Sequence, residues 1–119
     1  MNLEDFYQLN YNVLATDSQL EGTFHFKGET IINAKIKGTI IMSDFSKLII
    51  ERNAHIEGNI YGKDILVLGS VQGLIDSAGN VFFQATSELK GNVKSKSITI
   101  YAGANLNSQI ITTDQAELS

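Results

Sequence analysis

His25 and His55 are the only imidazoles in the chain, and imidazole is the side chain best suited to move a proton or hold a metal near neutral pH. They fall in different segments, and neither belongs to an H-x-x-x-H pair that would put two ligands side by side. Each reads as an outward-facing residue on a strand. The thirteen acidic residues are scattered rather than paired, so no carboxylate couple can be assigned to acid and nucleophile roles. No G-x-x-x-x-G-K-S/T loop is present to cradle a nucleotide, and no G-x-S-x-G elbow to present a serine. There is no cysteine, which removes disulfides and thiolate metal sites and permits a reducing compartment. The expectation is a protein that is not an enzyme, with no catalytic, cofactor-binding or metal residues.

The 119 residues fit one domain, and 43% of them are hydrophobic, enough for an ordinary buried core. The formal net charge of −4 argues against nucleic acid as a main partner, because phosphate binding needs surplus Lys and Arg on one face. Glu4 and Asp5 stand where a signal peptide would be basic, and no apolar h-region follows. No apolar run approaches the roughly 20 residues of a membrane-spanning helix. The expected setting is cytoplasmic.

What remains is an arrangement that positions nothing catalytic but repeats. Ten glycines without a proline or a tryptophan suit short strands with tight corners. The form small–x–aliphatic–x–Gly–x–aliphatic appears at Ala34 through Ile36 and Gly38 to Ile40, and again at Ala54 through Ile56 and Gly58 to Ile60. It recurs at Gly69-x-Val71-x-Gly73-x-Ile75 and at Ser87-x-Leu89-x-Gly91-x-Val93. A first copy is Ser18-x-Leu20-x-Gly22-x-Phe24, and a weaker last one is Ala104-x-Leu106-x-Ser108-x-Ile110. The copies start at 18, 34, 54, 69, 87 and 104, a spacing of about 17 residues of the solenoid kind. Uneven offsets assign variable corner loops to 41–47 and 76–80.

A second strand precedes each copy, with alternating members Thr30 and Ile32, Leu48 and Ile50, Ile65 and Val67, Val81 and Phe83, Ile98 and Ile100. This is the period-2 mark of a strand with one buried face. A single unit cannot bury its own apolar row, but stacked units about 4.8 Å apart can. The predicted fold is all-β: a parallel β-helix, or solenoid, of about six short coils, a rod roughly 29 Å tall. Residues 1–17 are assigned to an N-terminal tail, 18–110 to the β-helical polymerisation domain and 111–119 to a C-terminal tail.

The order and spacing of these motifs resemble the bactofilin family of bacterial cytoskeletal proteins. The residues that carry the likeness are Leu20-x-Gly22-x-Phe24-x-Phe26-x-Gly28, Ile36-x-Gly38-x-Ile40 and Ala54-x-Ile56-x-Gly58-Asn59-Ile60-x-Gly62. They continue through Gly69 to Ile75, Leu89-x-Gly91-x-Val93, and Ile98-x-Ile100-x-x-Gly103-Ala104-x-Leu106. The likeness covers about residues 13 to 110. It implies a right-handed β-helix of triangular cross-section that assembles end to end into filaments without nucleotide. It also implies a scaffold, commonly beneath the cytoplasmic membrane, that positions cell-wall enzymes or other morphogenetic proteins. Leu106 stands where the family often has Phe, and Ser108 where it often has Gly. The N-terminal tail lacks the basic, apolar anchor of some members; its first basic residue is Lys27.

Two kinds of surface follow from a rod. The terminal coils offer Leu20, Phe24 and Phe26 at one end and Ile98, Ile100, Leu106 and Ile110 at the other. Exposed strand edges template pairing unless capped or charged, so these residues are the candidate polymer interface. The alternative is that 1–17 and 111–119 fold back as caps, leaving a monomeric adaptor. Along the side, the middle strand turns out polar residues, among them Lys37 and Glu57, expected to be neighbours across coils. The preceding strand instead turns out Ile31, Ile49, Leu66, Leu68 and Phe82, an apolar stripe that marks a partner, a second filament or the membrane. The alternatives there are a covering tail or a register slip of one residue, which would exchange inside and outside.

Residues 1–14 read either as a short helix (Leu3, Phe6, Tyr7, Leu9) or as a strand (Leu9, Tyr11, Val13, Ala15). The absence of Lys and Arg there favours a flexible or docked tail over a membrane anchor. A left-handed hexapeptide-repeat acyltransferase would require glycines in six-residue register, which Gly22, Gly28, Gly38, Gly58, Gly73 and Gly91 do not hold. A pectin-degrading β-helix or a secreted adhesin would need export and usually a longer solenoid.

Overall fold

The structure is a computed structural model that describes residues 11–14, 19–43, 46–112 and 117–118, with side chains for 19–43 and 46–112. Every described element is a strand, and every pairing between strands is parallel. The odd strands are short: β1 (Tyr11–Leu14), β3 (Glu29–Ile32), β5 (Leu48–Ile50), β7 (Ile65–Val67), β9 (Asn80–Phe83), β11 (Ser97–Ile100) and β13 (Glu117–Leu118). They stack in chain order as one seven-stranded sheet. The even strands have eight residues each: β2 (Gln19–Phe26), β4 (Lys35–Met42), β6 (His55–Gly62), β8 (Ser70–Ser77), β10 (Glu88–Ser95) and β12 (Asn105–Thr112). They stack as a six-stranded sheet, so the chain climbs a parallel β-solenoid of six coils.

The fourth residue of each even strand divides it. Gly22, Gly38, Gly58, Gly73 and Gly91 have φ between 129° and 142°, a backbone that L side chains rarely adopt. They lie directly over one another in register. From Gly38 onward, an added Cβ would land on the carbonyl oxygen of the glycine one coil earlier. Glycine is therefore needed twice, for the turn of the backbone and for the spacing of the coils. It splits each even strand, so that each coil has three straight runs.

The core follows the predicted alternation. In β4, Ile36, Ile40 and Met42 are buried, and their counterparts are buried in β8 and β10. In the odd strands Thr30 and Ile32 are buried while Ile31 is half-buried, and the same holds for Leu48, Ile49 and Ile50. The stripe residues therefore face outward, and a one-residue slip is excluded. Like stacks on like: Phe24, Ile40, Ile60, Ile75, Val93 and Ile110 form one row. Buried hydroxyls find backbone acceptors, as burial requires. Thr30 Oγ1 donates to Gly28 O at 3.0 Å, Ser95 Oγ to Gly79 O at 2.8 Å, and Ser77 Oγ to Lys63 O.

Coil length varies at the corners. The β4–β5 connection takes residues 43–47, whereas β6–β7 uses only 63–64. Together with the longer β5–β6 connection, 51–54 against 68–69 for β7–β8, this accounts for the long second offset of the repeat. Tyr11–Leu14, within the segment assigned to the N-terminal tail, forms β1 on the edge of β3. The last even strand runs on to Thr112, two residues past the assigned end of the domain.

Candidate assembly surfaces

His25 is exposed on β2, and His55 on β6 is half-buried with its Nε2 3.2 Å from Glu57 Oε1. Lys37 Nζ lies 3.8 Å from Glu57 Oε2 across adjacent coils, as expected from the repeat. With both side chains largely exposed, that pair contributes no more than about 1 kcal/mol. Among the described residues no three His, Asp, Glu or Cys side chains gather as a metal set. Among them no helix is long and apolar enough to cross a membrane.

The ends are a different matter. At the N-terminal end β2 pairs with β4 on one side, and no described strand covers its other edge. Leu20, Phe24 and Phe26 are each half-buried there, packed against the core from one side. The rings of Phe24 and Phe26 stack with centroids 6.3 Å apart and planes 6° from parallel. At the C-terminal end β12 pairs with β10, and its outer edge is likewise free of any described strand. Leu106 and Ile100 are half-buried, and Ile110 is 37% exposed while Val93, its neighbour one coil down, is fully buried. A coil laid on this end would bury Ile110 as β12 buries Val93. Ile98, placed at the end by the repeat, is only 1% exposed. It is therefore enclosed within the last coil rather than open on it, whereas Ile100, two residues further along the same strand, is only half-buried.

Two end residues escaped the sequence reading. Ile111 is 48% exposed and Tyr101 42%. Ile111 occupies an outward row shared with Lys94, Asp76, Tyr61, Ile41 and His25, whose character changes from copy to copy. Ser108 occupies the glycine position of the last coil, and its Oγ is buried without a hydrogen-bond partner among the described residues.

On the side, Ile31, Ile49, Leu66 and Phe82 stand directly above one another on β3, β5, β7 and β9. All are half-buried. Thr99 continues the row on β11. Leu68 is also half-buried but follows the end of β7, at the corner beside the stripe.

The fold is thus a parallel β-solenoid with glycine corners and with apolar residues at the strand edges of its two ends. The family model for bactofilin, described as polymer-forming cytoskeletal, matches residues 12–111, and this chain belongs to the bactofilin family. A solved structure, the cytoskeletal bactofilin BacA determined by solid-state NMR, superposes with a TM-score of 0.76 at 24% identity. The alignment covers 89% of this chain and 99% of that one. No match was found among curated proteins.

Proposed function

We propose that this protein is a cytoskeletal scaffold that polymerises end to end into filaments without nucleotide, and that it has no enzymatic activity. The observation that carries the reading is the state of the ends. β2 and β12 each present an edge that no described strand covers, and the apolar residues beneath those edges are half-buried, or exposed at Ile110, where their inner counterparts are buried. Such edges recruit another strand, and a second copy supplies one of matching shape. Family membership supports self-association. The interface comprises Leu20, Phe24 and Phe26 at one end and Ile100, Leu106 and Ile110 at the other, joined by Ile111.

The test is negative-stain electron microscopy of the parent beside Leu106→Arg. A guanidinium at Leu106 cannot be desolvated under an incoming coil without a partner. The parent is expected to form long thin filaments, and the variant to stay as short particles with unchanged far-UV circular dichroism. Uniform monomers in both preparations would defeat the reading, and trimers that bind acyl-CoA would favour the acyltransferase alternative.

The filament works in the cytoplasm as a platform, peripheral to the inner face of the membrane, for cell-wall enzymes or other morphogenetic proteins. The stripe of Ile31, Ile49, Leu66 and Phe82, with Leu68 beside it, is the lateral face for that role. Repeated along a filament, a narrow apolar row gains avidity that one copy lacks. Phe82→Lys combined with Leu68→Lys is expected to leave filament length unchanged and abolish lateral bundling. Bundles of parental width in the double variant would remove the stripe from the function.

A further inference from the structure

The two sheets of the rod end differently. Among the described residues the six-stranded sheet ends at β2 and β12, whereas the seven-stranded sheet starts at β1, the companion of β2 in the first coil, and runs on to β13, beyond the last complete coil. β1 covers β3 through four in-register residues. β13 covers β11 through only two, with Thr99 opposite Glu117 and Ile100 opposite Leu118. A coil consists of one odd and one even strand, so β13 opens a seventh coil for which the described residues hold no even strand. It lies on the edge where a further coil would have to pair.

We infer that β13 is a displaceable cap, a strand of the same chain competing with a second copy for the edge of β11. The inference rests on the end-to-end reading and adds its regulation. The competition is balanced in a particular way. A two-residue ladder makes few hydrogen bonds, and their gain is offset by the entropy of fixing those residues. On its own it is marginal. Yet the cap is tethered only four residues beyond β12, and a short tether holds a competitor at an effective concentration of about millimolar. At micromolar protein the cap wins every encounter that does not bring the whole end into register. An incoming copy that also covers the eight-residue edge of β12 gains far more than β13 gives up. The cap therefore suppresses partial and misregistered contacts and slows nucleation, while full stacking displaces it. β1, with twice the paired length, remains part of the fold, so the C-terminal end is the regulated one.

The test compares the full chain with a version ending at Thr112 and with a full-length Glu117→Pro, Leu118→Pro version, in which both amide donors of β13 are lost. Sedimentation gives the critical concentration and light scattering the lag. Both variants are expected to assemble at a critical concentration at least threefold lower than the parent, with a shorter lag. Equal critical concentrations in all three, or weaker assembly in the variants, would overturn the cap while leaving end-to-end assembly intact. Failure of all three to polymerise at any concentration would overturn both.

Discussion

Gly58→Ala is expected to destabilise the fold more than any other single methyl added to the chain, whereas Gly22→Ala, at the same position of the repeat, is expected to be tolerated far better. Both glycines have positive φ, 142° and 129° respectively, so both substitutions carry a backbone cost of about 1–3 kcal/mol. Only one of them also meets the neighbouring coil. The Cβ of an alanine at 58 would land on the Gly38 carbonyl oxygen and stand 3.1 Å from the Gly38 amide nitrogen. Those atoms are backbone in a paired strand and cannot rotate aside. Relief requires the fourth residues of β4 and β6 to separate, which breaks the ladder in the middle of the rod. The total loss is on the order of 4 kcal/mol, at the upper end for a point substitution. At position 22 an added Cβ meets nothing within 4 Å, and the backbone cost stands alone. Urea titration followed by far-UV circular dichroism reads the difference as a much lower midpoint for Gly58→Ala. Equal midpoints would show that the coil contact contributes nothing and that the glycines serve only the turn.

That contrast also shows how far the amino-acid sequence was legible. The recurrence of glycine at 22, 38, 58, 73 and 91 marked one position per coil, and the alternation of Thr30 with Ile32 and of Val81 with Phe83 marked the faces. Both signals are periodic, and periodicity survives in a one-dimensional string because every copy solves the same packing problem. The Lys37–Glu57 pair was legible for the same reason. What a repeat cannot carry is the behaviour of its ends. Ile98 looked terminal because its copy is the last, but burial differs within one strand, and Ile98 is enclosed where Ile100, two residues further along, is only half-buried. Ile111 and Tyr101 lie at outward or corner positions whose character changes from copy to copy, so no recurrence distinguishes an exposed isoleucine from the lysine below it. β1 continues the series of odd strands and was legible only as one of two readings, through the alternation of Leu9, Tyr11, Val13 and Ala15, while β13 lies past the last copy of the repeat, where its pairing is set by the β11 edge it meets. The end surface is thus half legible. Leu20, Phe24, Leu106 and Ile110 follow from the repeat, and the features that decide whether an edge is open or covered do not.

Phe82 and Phe83 are adjacent in β9, and truncating them is expected to give opposite results. Phe83 is fully buried, in a row with Ile32, Ile50 and Val67 below and Ile100 above. It is the largest of the fully buried side chains. Coils below and above hold its neighbours at strand spacing, so the space left by Phe83→Ala cannot be closed by a small shift of one loop. The expected loss is about 3–5 kcal/mol, the transfer of the ring plus the cavity it leaves. Against a total stability of about 5–15 kcal/mol for a domain of ordinary size, that is a large share. Phe82 is half-buried on the outer surface, where water replaces much of what the ring touches, and Phe82→Ala is expected to cost no more than about 1 kcal/mol. Because each coil contacts only its neighbours, the damage from Phe83→Ala should also be local. Hydrogen exchange should accelerate first at β7, β9 and β11 and only later at β3, while Phe82→Ala leaves the exchange pattern of the parent. A larger loss for Phe82 than for Phe83 would mean that the register of β9 is inverted, placing the stripe inside the rod. Uniform acceleration along the whole chain would mean instead that the six coils unfold as one unit, so that the terminal strands are no looser than the centre.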